Sequence, residues 1–201
     1  MRHVDRIARA LVFALLFIAS TDSQAAEFAA PSGDGWHAWQ VSGSEGGTNA
    51  CCYRSRNGSV SKQGCDLDGR QGQSITLGDC DIEGDQISVY VRVENGKVTK
   101  LRALTAACPV TTKSPVNNMG VMPNAASVAW LVEQVDGDSR ISEDAIAAVS
   151  AHEGDATFKA LTGLLEDRNR NRKIREQALF WLAQTDSDQA FEYLDALLSR
   201  N

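Results

Sequence analysis

The chain has little of what enzymes commonly use for chemistry. Histidine occurs three times in 201 residues, and neither His37 nor His152 is spaced from a glutamate or another histidine as a zinc-protease helix requires. No G-x-S-x-G segment is present that could form the nucleophile elbow of a hydrolase. His152 stands near a predicted helix end, where an imidazolium would interact favourably with the helix dipole. The sequence therefore favours a non-enzymatic protein with no catalytic residue, no cofactor and no metal site.

Positive charge is also in short supply. Lysine and arginine number 20 against 26 acidic residues, which leaves a formal net charge of −6. An acidic surface repels phosphate backbones, so the binding of nucleic acid has no electrostatic basis here.

The apolar run at residues 10–19 is too short to cross a bilayer. It would form a helix of about 15 Å, whereas the hydrocarbon core is about 30 Å thick. Three arginines precede the run and small residues surround Ala25, which is the order of a secretory signal peptide. We predict an exported protein, periplasmic or secreted, with residues 1–25 as the signal peptide and no stable membrane insertion. Retention of this segment as an anchor is the alternative.

Cysteine is missing from residues 109–201. The five cysteines lie between residues 51 and 108, and no C-x-x-C pair occurs for a redox couple, covalent haem or a zinc knuckle. In an oxidising compartment such cysteines form structural disulfides, which predicts a small disulfide-stabilised domain over residues 26–122. The disulfide candidates are Cys51, Cys52, Cys65, Cys80 and Cys108.

Two bridges among five cysteines leave one thiol over, and the spacing does not select the pairing. Cys51 and Cys52 are adjacent, and neighbouring side chains of a strand point to opposite faces, so we expect them to bond to different partners. The alternative to a structural role is a thiol-based redox or soft-metal sensor that uses Cys51 and Cys52, with His37 as a further ligand.

Residues 26–122 also contain short alternating runs that are typical of strands. The strongest pair is 87–94 and 97–104, joined by Asn95-Gly96. Both residues of a type I′ turn need positive φ, and this dipeptide adopts it readily, so we predict an antiparallel hairpin. One face of the hairpin is apolar and the other is mostly polar. We therefore expect a small antiparallel sheet that buries a single side.

In residues 123–201, alanine and leucine recur at helical spacing. Residues 141–165 match residues 174–198 without a gap at eight of 25 positions, an offset of 33. Asp155 and Asp188 stand where the N-cap of each second helix belongs. Each match is therefore predicted to be a helix-turn-helix unit.

A further helix is predicted over residues 125–135, with Asn124 as its cap. Shifted by the same offset, its apolar residues fall on those of the second helix in the following unit. It therefore forms half of a degenerate unit, which gives about two and a half units in all.

The segment 173–184, KIREQALFWLAQ, resembles a HEAT repeat of the bacterial type, in which a hydrophobic-Arg pair precedes an Ala-Leu run. It is similar to a group of exported bacterial HEAT-repeat proteins, although Ser142 replaces the arginine in the first unit. The resemblance covers residues 141–198 and implies a scaffold or adaptor of the cell envelope. The predicted fold class is α+β, a small cysteine-rich antiparallel β domain followed by a short α-solenoid of HEAT-like hairpins.

So short a stack leaves an apolar end that the β domain, a second copy of the chain or a partner protein has to cover. We therefore expect a protein partner at the helical surface. The loop after the first unit clusters arginines, which can bind carboxylates bidentately if it is more than a solvated loop. Trp181 lies at the edge of an apolar stripe, where it either packs in the core or contacts the partner. The candidate partner-binding residues are Arg168, Arg170, Arg172, Arg175 and Trp181.

Overall fold

The protein was obtained as a computed structural model with side chains. The predicted signal peptide and Cys80 lie outside the residues that the structure describes. The described residues are 28–43, 48–52, 54–56, 59–61, 64–69, 73–77, 85–137, 139–185 and 187–199.

Ten strands fall within these residues, four of them in one sheet and the others in three two-stranded ribbons. The strands are β1 (Gly35–Ser42), β2 (Thr48–Cys52), β3 (Arg54–Arg56), β4 (Ser59–Ser61), β5 (Cys65–Asp66), β6 (Gln73–Leu77), β7 (Gln86–Glu94), β8 (Lys97–Thr105), β9 (Val110–Thr111) and β10 (Val116–Val121).

The four-stranded sheet has the order β10-β1-β7-β8. Strand β7 is antiparallel to both β1 and β8, but β10 pairs with β1 in parallel. The prediction of a purely antiparallel sheet is therefore wrong at one edge. After β8 the chain crosses the sheet and pairs at the far side, and parallel neighbours need such a crossover connection instead of a tight turn.

The predicted hairpin is confirmed. Strands β7 and β8 are joined by Asn95 and Gly96, whose φ angles are 52° and 71°, as a type I′ turn requires. The expected burial of a single side is wrong, however, because the opposite face is covered as well. On that face Ser88 and Leu104 are buried, and Tyr90 packs against a second buried cluster that contains the cysteines.

Five helices follow the sheet within the described residues. They are α1 (Asn124–Gln134), α2 (Ser139–Ser150), α3 (Asp155–Glu166), α4 (Arg172–Gln184) and α5 (Asp188–Leu198).

The sequence predicts that Asn124 caps α1, and this is wrong. The N-cap is Pro123, without a side-chain hydrogen bond. The Asn124 carboxamide instead accepts a hydrogen bond from the Ser42 amide at 3.0 Å and donates to the Ser42 and Glu153 carbonyls, each at 2.9 Å. Asn124 therefore ties the end of β1 to the turn between α2 and α3, where it satisfies backbone groups that a local cap could not reach.

The predicted caps Asp155 and Asp188 are also displaced by one residue. Gly154 is the N-cap of α3, and Ser187 caps α5 by accepting a hydrogen bond from the Ala190 amide. Asp155 and Asp188 are the first helical residues, where a carboxylate still interacts favourably with the positive end of the helix dipole.

The sheet and the helices share one buried cluster. Trp39 and Val91 of the sheet lie in the same cluster as Leu131, Ile146 and Leu161 of α1, α2 and α3. The predicted boundary between two domains, at residues 122 and 123, therefore stays a prediction from the sequence. The apolar core runs continuously across it.

Two disulfides hold the layer on the other face of the sheet. They join Cys51 to Cys108 and Cys52 to Cys65, so the adjacent cysteines do bond to different partners. All four cysteines are buried in a cluster with Trp36. The main sheet consequently lies between a helical layer and a disulfide-bonded layer.

Candidate interaction surface

The helix boundaries repeat as the sequence does. Helix α2 begins at Ser139 and α4 begins 33 residues later, at Arg172. Helix α3 begins at Asp155 and α5 begins 33 residues later, at Asp188. The two helix pairs also contact each other directly. The rings of Phe158 on α3 and Tyr193 on α5 meet edge to face, with centroids 5.9 Å apart.

An equivalent polar contact joins each unit to the helix before it. Arg175 of α4 donates from Nε to the carbonyl of Leu165, at the end of α3, at 3.1 Å. Its counterpart in the first unit, Ser142 of α2, donates from Oγ to the carbonyl of Val135, just beyond α1. Serine at the pattern's arginine position thus also bonds a carbonyl near the end of the preceding helix, although its acceptor lies three residues beyond Val132, the counterpart of Leu165.

Matched positions lose their cover towards the end of the helical layer. At one position the exposed fraction rises from 0% at Leu131 to 3% at Leu164 and 36% at Leu197. At another, Phe158 is half-buried beneath Tyr193, whereas its counterpart Phe191 is 73% exposed. The matched side chains therefore become more exposed from α1 towards α5.

Leu198 completes this bare surface. It is 75% exposed, whereas its counterpart Leu165 is half-buried against the main cluster. Phe191 and Leu198 are seven residues apart, which places them two turns apart on one side of α5. We call these two residues the α5 flank. Exposed apolar side chains that are grouped in this way mark interaction surfaces more often than isolated ones do.

The predicted arginine patch is divided between internal contacts and solvent. Arg170 pairs with Asp136 and Asp167, and Arg172 pairs with Glu176 at 2.6 Å on the same helix. Both guanidinium groups therefore already have carboxylate partners within the protein.

Arg168 and Arg175 lie at a cavity of about 360 Å³ between α5 and the α3–α4 turn. Leu165 and Tyr193 form part of its apolar wall. Among the described residues no ion pair involves Arg168, although Glu166 lines the same cavity and accepts the Tyr193 hydroxyl at 2.8 Å.

Trp181 packs against the main cluster and is partly buried. Its ring meets the ring of Phe180 edge to face at 5.1 Å, and Phe180 is 52% exposed. Within the described part of the chain, the Trp181 Nε1 group is buried and has no hydrogen-bond partner. Of these two neighbours, Phe180 presents more of its ring to solvent.

A series of buried, hydrogen-bonded side chains that no sequence pattern indicated links the sheet to the helices. The Trp39 Nε1 group donates to Ser127 Oγ at 2.7 Å, and Ser127 Oγ lies 2.8 Å from His152 Nε2. His152 Nδ1 lies 2.7 Å from the Ala148 carbonyl, which can only accept, so Nδ1 carries the proton and Nε2 accepts from the serine hydroxyl. Each donor among Trp39, Ser127 and His152 therefore has an acceptor when His152 is neutral.

The Ser127–His152 pair has the spacing of a nucleophile and its base, but it is closed to solvent. Ser127 is 0% exposed and His152 is 1% exposed. Burial lowers the pKa of His152 from 6.5 to about 4, against the smaller opposing effect of its bond to Ala148. The predicted imidazolium at this helix end is therefore wrong, and the group bonds the helix carbonyl as a neutral ring.

A second polar centre, also missed from the sequence, holds the disulfide layer on the sheet. The Asp68 carboxylate accepts hydrogen bonds from the Lys113 amide at 2.6 Å and the Trp36 indole at 3.1 Å, and it pairs with Arg92 at 2.7 Å. The Lys113 amide, followed by the Trp36 indole, lowers the pKa of Asp68 from 3.8 to about 2. A single aspartate among 26 acidic residues carries no local signal for such a role.

The residues of the sensor alternative are engaged elsewhere. Cys51 and Cys52 are both bridged. His37 is buried, with Nε2 at 2.9 Å from the Gly33 carbonyl and Nδ1 at 3.2 Å from the Asn117 amide nitrogen. Among the described side chains, no group of three or more His, Cys, Asp or Glu is placed to hold a metal ion.

The fold and these sites define a mixed α+β protein with a mostly antiparallel sheet, five described helices and two disulfides. None of the described helices is long and apolar enough to span a membrane. Comparison with protein-family models, with curated proteins and with solved structures found no match for this chain.

Proposed function

We propose that this protein is a non-enzymatic scaffold or adaptor of the bacterial cell envelope, which holds a protein partner on a short stack of HEAT-like helical hairpins. The observation that carries the proposal is the α5 flank. Phe191 and Leu198 are bare, whereas the matching residues of the preceding unit, Phe158 and Leu165, are half-buried. Solenoid units bury their apolar edges only against neighbours, so an uncovered edge is suited to a partner.

The proposed compartment is supported by the disulfides. Bridges such as Cys51–Cys108 and Cys52–Cys65 persist in oxidising surroundings and are rare in the cytosol. They are compatible with an extracytoplasmic location, to which the predicted signal peptide would direct the chain.

The binding role is favoured over catalysis by the placement of the reactive groups. The one described pair with nucleophile–base spacing, Ser127 and His152, is buried. In contrast, the α5 flank is open to a large molecule. A few buried anchors, aromatic side chains among them, contribute most of the binding energy in protein interfaces, which makes Phe191 the stronger candidate of the two.

A pull-down from envelope extract tests this function. The mature protein is compared with the Phe191→Ser, Leu198→Ser double variant, with and without reductant, and Val121→Ser is the control because Val121 is 69% exposed on β10. We expect a defined protein partner that the double variant loses and the control keeps. Capture that is independent of the α5 flank would contradict the proposal. Capture only through a mixed disulfide would instead favour the thiol-based alternative.

A further inference from the structure

The charged residues of α5 itself are all acidic. Asp188, Glu192 and Asp195 are exposed on the same helix, and α5 carries no basic residue between its ends. Among the described residues these three carboxylates take part in no ion pair. Their charge is therefore available to a molecule that binds at the flank.

The carboxylates form a row beside the apolar one. Asp188 precedes Phe191 by three residues and Asp195 precedes Leu198 by three, and residues three apart on a helix are surface neighbours. Each bare apolar side chain thus has a carboxylate next to it. The surface pattern of α5 is a short apolar strip bordered by a parallel acidic strip.

The repeat shows the shape of element that covers such a strip. Phe158, the counterpart of Phe191, is covered by a helix, since Tyr193 of α5 packs on its ring at 5.9 Å. The spacing of the strip is likewise helical. A helix laid along α5 would therefore place a side chain on Phe191 as α5 places Tyr193 on Phe158.

A second copy of this chain is a poor occupant. A two-fold symmetric contact through the α5 flank would place the same surface of both copies together. Asp188, Glu192 and Asp195 would then face their own counterparts, and like charges that are brought together at an interface oppose binding.

We propose that the α5 flank binds a basic amphipathic helix of a partner protein. The partner's apolar residues would pack on Phe191 and Leu198, and its lysine or arginine side chains would lie along Asp188, Glu192 and Asp195. This inference rests on the proposed adaptor function and names the chemistry of the partner.

The probes are two designed helices of about 18 residues, long enough to hold helical structure in water. Both carry leucines at helical spacing. One has lysines beside them and the other has glutamates at the same positions. Binding of fluorescently labelled probe to the full mature protein is measured at low and high salt.

The basic helix is expected to bind at least about tenfold more tightly than the acidic one, and to weaken as salt is raised. Phe191→Ser or Leu198→Ser should weaken it about tenfold. The double variant Asp188→Asn, Asp195→Asn should weaken the basic helix alone. The matched controls are Val121→Ser and Glu133→Gln, which alter exposed residues on β10 and α1 and should leave binding unchanged.

Equal binding of the two helices, binding of neither, or self-association of the chain that Phe191→Ser abolishes would each overturn this inference. The proposed function is judged separately by the envelope pull-down. If the natural partner still depends on Phe191 and Leu198 while the basic helix fails, only the chemistry assigned to the partner is wrong. If the partner is retained without these residues, the adaptor surface itself is wrong.

Discussion

Burial decides the charge of His152. Its protonated Nδ1 donates a hydrogen bond to the Ala148 carbonyl, and its unprotonated Nε2 accepts one from the Ser127 hydroxyl. A second proton at Nε2 would point at the serine oxygen that already accepts from Trp39, so the serine hydroxyl would lose its acceptor. The polar chain between sheet and helices therefore depends on a neutral imidazole.

The stability of the fold should consequently fall in mild acid. The pKa of His152 is about 4 when folded, below its ordinary 6.5, so between these values the unfolded chain holds a proton that the folded chain lacks. The stabilisation is complete above pH 6.5 and is lost as the pH falls towards 4, by on the order of 3 kcal/mol. Denaturant unfolding at several pH values measures this loss, and NMR titration of the ring gives the pKa directly.

The variant His152→Gln should remove this part of the pH dependence, although it also lowers stability at neutral pH by disturbing the buried chain. A ring that titrates near 6.5 in the folded protein would contradict the assigned tautomer and the closed environment.

The sequence predicts the conformation of individual turn residues, but it does not predict the distant hydrogen-bond partners of polar side chains. Asn95 and Gly96 were predictable because a two-residue turn dictates its own φ angles. Asn124, Ser127 and Asp68 were not, since each acts on groups 20 or more residues away. Local pattern cannot show which distant group a polar side chain will meet.

The elements of this protein are held in place by two different means. The helices pack through apolar side chains, while disulfides hold the short strands. Cys52–Cys65 joins β2 to β5, and Cys51–Cys108 joins β2 to the segment just before β9. The strand pair β5·β9 has only two residues in each strand, too few to be stable alone. The covalent bridges therefore contribute much of the order in this layer.

Removing the two bridges should not cost the same free energy of unfolding. Cys51–Cys108 closes 57 residues and Cys52–Cys65 closes 13. On the loop-entropy model their removal by paired Cys→Ser substitution costs about 4 and about 3 kcal/mol respectively. Denaturant unfolding of each double variant measures the difference, with peptide mapping of the unreduced protein to confirm the pairing. The reverse order would show that the layer is held by something other than loop closure.

The repeat itself predicts an asymmetry between matched helices. Phe158→Ala should lower the free energy of unfolding by about 2 kcal/mol, because it removes half-buried area and an aromatic contact with Tyr193. The matched change Phe191→Ala should cost less than about 0.5 kcal/mol, as expected of an exposed side chain. Thermal or denaturant unfolding of both variants compares them. Equal costs would mean that Phe191 is covered within the free protein.

The offset between the helix pairs was the part of the helical layer that the sequence predicted well. An offset of 33 in the apolar pattern reappears as the same offset in the first residues of the helices. The caps were misplaced by one residue because a favourable first-turn aspartate and a capping aspartate look alike in sequence. The parallel strand β10 was missed because its pairing depends on where the crossover leads, which no local pattern records.

The whole molecule behaves as a set of layers around a shared core. Trp39 of β1 and Trp130 of α1 meet edge to face at 5.4 Å, and the salt bridge Arg102–Asp144 joins β8 to α2 at 2.9 Å. The helical layer therefore rests on the sheet and does not stand apart from it. Within the part of the chain that the structure describes, the last helix pair still presents large exposed apolar side chains, among them Phe180, Phe191 and Leu198.

Unfolding should accordingly be one cooperative transition in the oxidised protein. Far-ultraviolet circular dichroism reports mainly on the helices. Tryptophan fluorescence reports on all four tryptophans, of which Trp39 and Trp130 lie at the junction of sheet and helices. Because both lie on one core, we expect the two transitions to coincide. Two separated transitions would mean that residues 26–122 and 123–201 are independent domains.

Site-specific photocrosslinking in the cell envelope would show directly whether a partner binds the α5 flank. A photoreactive residue is placed at position 191 on the α5 flank, and in a control protein at position 121, which is similarly exposed on β10. If the α5 flank binds a partner, position 191 should give a defined protein adduct that is missing from position 121 and that survives reductant. Adducts of equal yield from both positions, or from neither, would contradict a partner-binding surface on α5.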